Sequence, residues 1–278
     1  MLQENFSPEL ALIEAELHKV LDESASCPLP HLEKFWECLS YSLYSPGKRF
    51  RPLLSLLTAK ALGKPYETVM PIACAVELIH TYSLIHDDLP LMDNDDLRRG
   101  RPTNHKVYGD AMALLAGDGL LTLSFYILAS KPSPWMGEVV QLLAKAAGVD
   151  GMVGGQVLDI EAGSPDRLLL EQIHRRKTGA LIQVSVEGAA ALCAATPQQR
   201  QGLSSYGWNL GLAFQLADDL QDYDPARPEK VSFVSSLGEA ATRDRLKQAS
   251  DQALKDLEQF SVEAEPLREM IRRNFDRA

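Results

Sequence analysis

Apolar residues recur at three-and-four spacing along almost the whole chain, and nowhere do they alternate at period two. Residues 10–21, 53–62, 180–192 and 246–260 each carry such a helical stripe. β-branched alternation is absent, so strand signals are missing rather than weak. The punctuation agrees. Ser7-Pro8, Ser133-Pro134, Ser164-Pro165 and Thr196-Pro197 each set a capping hydroxyl before a first-turn proline. Gln199, three residues after Thr196, completes a capping box. Short breaks separate the stripes, and neither a low-complexity linker nor a solenoid repeat interrupts them. The expectation is an all-α, single-domain bundle of about ten helices spanning residues 1–278.

Charge narrows the function. The 278 residues carry a net charge of −10, which argues against nucleic acid as a partner. Any anionic substrate would need local cations. The four cysteines, Cys27, Cys38, Cys74 and Cys193, show no zinc spacing and suit a reducing compartment. The N-terminus lacks a basic segment followed by an apolar one, and the most apolar stretch, Ala111 to Ala129, is broken by Asp118. These features predict a soluble, cytoplasmic protein with no transmembrane segment.

Two aspartate clusters stand about 130 residues apart, each behind an apolar helical segment. The second includes Asp218, Asp219 and Asp222. Asp218 and Asp222 stack one turn apart, where like charges cost a few tenths of a kcal/mol unless a counter-ion intervenes. A hard divalent cation such as magnesium fits oxygen ligands of this kind. The first holds Asp87, Asp88 and Asp93. Asp87 and Asp93 lie about 240° apart on an ideal helix, and Pro90 between them would distort or end that helix. A loosened last turn would reunite them. Two clusters facing each other would form a multi-magnesium site for a diphosphate, because magnesium shares carboxylates with substrate phosphates.

Three basic clusters complement them: Lys48-Arg49-Phe50-Arg51-Pro52, Arg98-Arg99-Gly100-Arg101, and His174-Arg175-Arg176-Lys177-Thr178-Gly179. Arginine binds phosphate oxygens bidentately and lysine as a point charge. Each alone reads as a solvated basic turn. Together, in an acidic chain with two carboxylate clusters, they read as an anion site.

Residues 45–52, 80–105, 154–159, 176–179 and 214–222 together resemble the polyprenyl (trans-isoprenyl) diphosphate synthases, in particular the bacterial farnesyl diphosphate synthases. The resemblance implies an isoprenoid-synthase bundle around a central cavity and a prenyltransferase that joins isopentenyl diphosphate to an allylic diphosphate. It implies that Asp87, Asp88 and Asp93 bind magnesium on the allylic diphosphate, and that Asp218, Asp219 and Asp222 hold a further ion, three in all. Gly47, Lys48, Arg51, His80 and Arg99 would bind isopentenyl diphosphate. Arg98, Lys177, Thr178 and Gln215 would hold the allylic substrate, while Gln156 and Asp159 would line the site. A homodimer is implied as well.

Tyr82 lies about 7.5 Å below Asp87 along a helix. The resemblance makes Tyr82, with Ser83 beside it, the chain-length position, and makes an aromatic here the mark of a farnesyl product. The alternative is a plain core aromatic. The sequence departs from the family after the second cluster. The segment from Tyr223 to Phe233 is shorter than the family's, and Lys230 takes the place of its later lysine. Three other readings stay open: a geranylgeranyl diphosphate synthase, a class I terpene cyclase, and a non-catalytic subunit of a prenyltransferase.

Overall fold

The computed structural model describes residues 5–25, 31–163, 166–224 and 232–278. In chain order the α-helices are α1 Ser7–Ala25, α2 Glu33–Leu43, α3 Phe50–Ala61, α4 Met70–Asp87, α5 Asn104–Tyr108, α6 Asp110–Ala129, α7 Met136–Ala147, α8 Met152–Glu161, α9 Arg167–His174, α10 Ala180–Leu192, α11 Pro197–Gln221, α12 Phe233–Leu237, α13 Glu239–Asp256 and α14 Glu265–Asp276. Twelve of these run eight residues or longer, slightly more than expected. A π-helical turn, Arg175–Gly179, joins α9 to α10.

The all-α expectation has one exception. Leu97–Arg98 (β1) and Arg101–Pro102 (β2) pair antiparallel, with Arg98 opposite Arg101. Arg99 and Gly100 between them have φ of +55° and +75°, the backbone of a tight hairpin turn. Strands of two residues are too short to show a period.

The chain forms two compact units: residues 1–53 with 70–136, and residues 54–69 with 137–278. In the first, α4 packs along α6. Residues Ile72 to Ile79 of α4 are all buried, and all but Glu77 are apolar, as a helix surrounded on every side requires. In the second, α11 packs on α10 and α13. Leu212, Leu216, Phe233, Leu246 and Leu170 form a cluster beneath its C-terminal half. Each fully buried leucine of this kind contributes about 2 kcal/mol.

The start signals fared unevenly. Thr196 caps α11, its hydroxyl accepting from Gln199 N–H while the Gln199 side chain accepts from Thr196 N–H. Ser133 caps a turn instead, its Oγ accepting from Trp135 N–H, and α7 starts at Met136. Ser7 is itself helical. Ser164-Pro165 lies outside the described residues; Asp166 caps α9 there by accepting from Leu169 N–H.

Asp118 interrupts the apolar run of α6 but not the helix itself. This is the one helix among the described residues long and apolar enough to cross a membrane by length and composition, and about a third of it is buried within the chain.

Candidate active site

In the first unit, α4 delivers its carboxylates where its hydrogen-bond ladder ends. Pro90 has no N–H, so the helix stops at Asp87 and the chain folds back. Asp93 N–H donates to the Asp87 carbonyl at 2.8 Å, and Asn94 N–H donates to the Leu89 carbonyl at 3.1 Å. Carbonyls left over at a helix end need such partners. The loosened end therefore brings Asp93 back beside Asp87, six residues on. Asn94, with φ +54°, supports the reversal.

Asp88 turns inward. It is 3% exposed, and Arg98 grips it through Nε at 2.8 and 2.9 Å and Nη2 at 2.6 Å. Burial alone would lower the Arg98 pKa, but the hydrogen bond and charge of Asp88 outweigh it and raise it. The predicted metal ligand and the predicted substrate cation thus hold each other. Thr103 Oγ1 donates to the Asp95 carbonyl and Lys106 pairs with Asp96, both at 2.7 Å, tying down the loop that carries them.

The cations near residue 48 divide. Lys48 is exposed. Arg49 is 4% exposed and sits at φ +45°. Its Nε donates to Glu14 and its Nη1 to buried Glu77, both at 2.7 Å; its Nη2 donates to the Leu43 carbonyl. It is a strut inside the turn that carries Gly47 and Lys48 and leads into α3, where Arg51 lies. Arg99 Nη1 donates to the Pro46 carbonyl at 2.7 Å, so the two predicted isopentenyl-site segments touch. The pKa of His80 is held well below the usual histidine range, first by burial and then by Arg51, Arg99, Arg98 and Arg49. It is a neutral imidazole among guanidinium groups. Tyr82 is 5% exposed, and the Ser83 hydroxyl donates to the His80 carbonyl.

In the second unit the π-turn is the centre. Lys177 Nζ donates to Asp159 of α8 at 2.6 Å. Gly155 permits this: a β-carbon on it would lie 2.3 Å from the Lys177 backbone nitrogen. Thr178 is half-buried in the same turn. Such turns inside α-helices are frequent at functional sites. Gln215 Nε2 donates to His174 Nδ1 at 2.8 Å, and burial pushes the His174 pKa down to about 4. Asp219 accepts from Phe233 N–H at 2.6 Å. Asp218 is bound by Arg277, while Asp222 is exposed at the end of α11, its N–H donating to the Asp218 carbonyl. Lys230 lies outside the described residues.

Sequence reasoning missed Arg49's inward role and its partners Glu14 and Glu77, and it read His174 only as one member of a basic cluster; these roles, like that of Arg277 in the basic run with Arg272 and Arg273, are fixed by contacts between distant segments.

The donor chemistry suits magnesium. Asp87, Asp93, Asp218 and Asp222 offer hard carboxylate oxygens, and Asp88 and Asp218 already bind guanidinium cations. Among the described residues no three His, Cys, Asp or Glu side chains are grouped to cage an ion. Magnesium takes one or two carboxylates together with water and substrate phosphates.

The polyprenyl synthetase family model matches residues 33–232. The chain belongs to this family. It is similar to the farnesyl diphosphate synthase of Geobacillus stearothermophilus, at 51% identity over 71% of this chain and 69% of the relative. It is similar to that of Bacillus subtilis at 47% identity, over 74% and 71% respectively. The crystal structure of an FPP/GFPP synthase from Zymomonas mobilis matches with a TM-score of 0.90 at 37% identity, over 97% of this chain and 99% of that one. The polyprenyl synthetase match includes residues of both compact units.

Proposed function

We propose that this polyprenyl synthetase is a short-chain prenyltransferase that condenses isopentenyl diphosphate with dimethylallyl or geranyl diphosphate to give farnesyl diphosphate. The 51% identity to a farnesyl diphosphate synthase carries the reading. Aspartates delivered at the ends of α4 and α11, with Arg98 paired to Asp88 at the first and Arg277 to Asp218 at the second, support it. The two units are taken as parts of one catalytic domain, since the family match runs through both.

In the reaction the allylic carbon–oxygen bond breaks, the isopentenyl double bond forms a new carbon–carbon bond, and a proton leaves. Lys48, Arg51 and Arg99 bind the isopentenyl diphosphate, with neutral His80 as hydrogen-bond partner. Arg98, Lys177, Thr178 and Gln215 hold the allylic diphosphate, and Lys230 is assigned there from the resemblance. Asp87, Asp88, Asp93, Asp218, Asp219 and Asp222 take magnesium, three ions by the same resemblance. Bound magnesium would neutralise the charge that develops on the departing diphosphate. The fixed cations share that role because their geometry is held before reaction. Arg98 and Lys177 are pre-positioned by Asp88 and Asp159. Tyr82 and Ser83 set the product length.

The exposed side of α6 bears Leu114, Leu115 and Tyr126, with Asp118 among them. We assign this face to a second copy of the chain. An ionised aspartate is costly in lipid, whereas a protein surface can pair it. The free, buried thiols of Cys38, Cys74 and Cys193 suit the cytoplasm. Sedimentation should give a dimer, with Leu115→Glu shifting it to monomer.

Elongation by Asp87→Ala and Asp218→Ala tests the assignment. Each should lower kcat by about a hundredfold or more, the scale of losing one preorganised electrostatic group. Lys48→Ala should instead raise KM for isopentenyl diphosphate. Near-wild-type rates in both aspartate variants would refute the metal assignment.

A further inference from the structure

Tyr82 and His86 are both on α4, four residues apart, so their side chains share one face. Their ring centroids lie 5.6 Å apart at 78°, edge to face. His86 is held from its other side. Its Nε2 lies 3.0 Å from the Leu114 carbonyl of α6. A carbonyl only accepts, so this nitrogen carries the proton. The ring fills a hollow made by Gly117. A β-carbon there would stand 2.0 Å from Nε2 and 2.3 Å from Cδ2. Gly117 is helical and needs no left-handed backbone; its missing side chain is the space His86 occupies.

From this contact chain we infer that His86, seated in the Gly117 hollow, is a positioning residue for product length, because it fixes the ring of Tyr82. The inference rests on the reading of Tyr82 as the chain-length residue and extends it to two residues with no assigned role. A tyrosine ring alone on a helix can swing about its first torsion. An edge contact to a second ring that is hydrogen-bonded to another helix removes that freedom. Gly117 then belongs to the specificity apparatus although it lies on α6. Neither residue is a catalytic residue in this account; both act through Tyr82.

The test is the ratio of geranylgeranyl to farnesyl product, measured at low conversion with geranyl diphosphate and labelled isopentenyl diphosphate. Tyr82→Ala serves as the reference and should lengthen the product. His86→Ala and Gly117→Ala should each raise the ratio by about twofold to tenfold, the range spanned by an aromatic edge contact. His86→Phe, which keeps a ring against Tyr82, should return it towards wild type even if the variant is less stable. A change in stability alone moves rate and melting temperature but not the ratio. If Tyr82→Ala lengthens the product while His86→Ala and Gly117→Ala give the wild-type ratio, the inference is overturned and the Tyr82 reading survives. If Tyr82→Ala leaves the product unchanged, both fall.

Discussion

Arg277 donates from Nη1 to Oδ1 of Asp218 at 2.5 Å. Its Nη2 donates to the Phe214 carbonyl and its guanidinium lies over the Phe214 ring. Gln221 closes the clasp, its Oε1 accepting from Nη1 and its Nε2 donating to the Arg277 carbonyl. Arg277 thus places a cation on a carboxylate assigned to magnesium.

A metal entering at Asp218 must displace that cation. Arg277→Ala should therefore bind manganese or magnesium about twofold to fivefold more tightly without substrate, equivalent to the ~0.5–1 kcal/mol of a partly exposed ion pair. Calorimetric titration of the metal reads this directly. Unchanged or weaker binding would mean that the clasp does not compete.

The Asp88 and Arg98 pair makes a sharper prediction. Arg98→Ala leaves a buried carboxylate without its partner and should cost about 3 kcal/mol of stability. Adding Asp88→Asn removes the stranded charge, so the double variant should regain most of that stability. It should not regain rate: both variants should stay about 10²–10³-fold below wild type in kcat, the scale for losing a preorganised donor. Denaturant unfolding and steady-state kinetics on the same samples separate the two effects.

Two glycines of the second unit form a graded pair. A β-carbon at Gly155 would meet the Lys177 backbone at 2.3 Å, whereas one at Gly211 would approach Gly179 at 3.1 Å. Backbone has little room to yield, so Gly155→Ala should destabilise by about 1–3 kcal/mol and displace Lys177 from Asp159. Gly211→Ala should be milder on both counts. Equal effects would contradict the close approach.

His80 gives the acid side of the stability profile. Its folded pKa lies below its ordinary value of 6.5, so the unfolded chain takes up the proton first. Its contribution is then fully present above pH 6.5 and is lost as pH falls towards the folded pKa, with a slope of up to about 1.4 kcal/mol per pH unit. Denaturant unfolding at pH 7.5 and 5.5 should show wild type losing more stability on acidification than His80→Gln. Parallel losses would show that His80 is protonated as easily folded as unfolded.

Features written in short stretches of sequence were legible. The Thr196 and Gln199 box lies within one turn, Asp218 and Asp222 are set by helical spacing, and Pro90 ends α4 through its own missing N–H. Arg49 looked like its neighbours Lys48 and Arg51 because a basic run does not say which side chain turns inward. That choice is made by Glu77, 28 residues away. Gly117 signals nothing until α6 lies on α4 and its empty side is seen to hold His86. Arg277 is similar: its partner Asp218 is 59 residues back, and the intervening helices decide that they meet. The hairpin was invisible because two residues per strand carry no period.

Elongation of geranyl diphosphate with labelled isopentenyl diphosphate, the products being separated by chain length, tests the assignment as a farnesyl diphosphate-forming prenyltransferase. Farnesyl diphosphate should form with magnesium, be abolished by EDTA and be restored by added magnesium. A folded protein that elongates neither geranyl nor dimethylallyl diphosphate in the presence of magnesium would contradict the assignment.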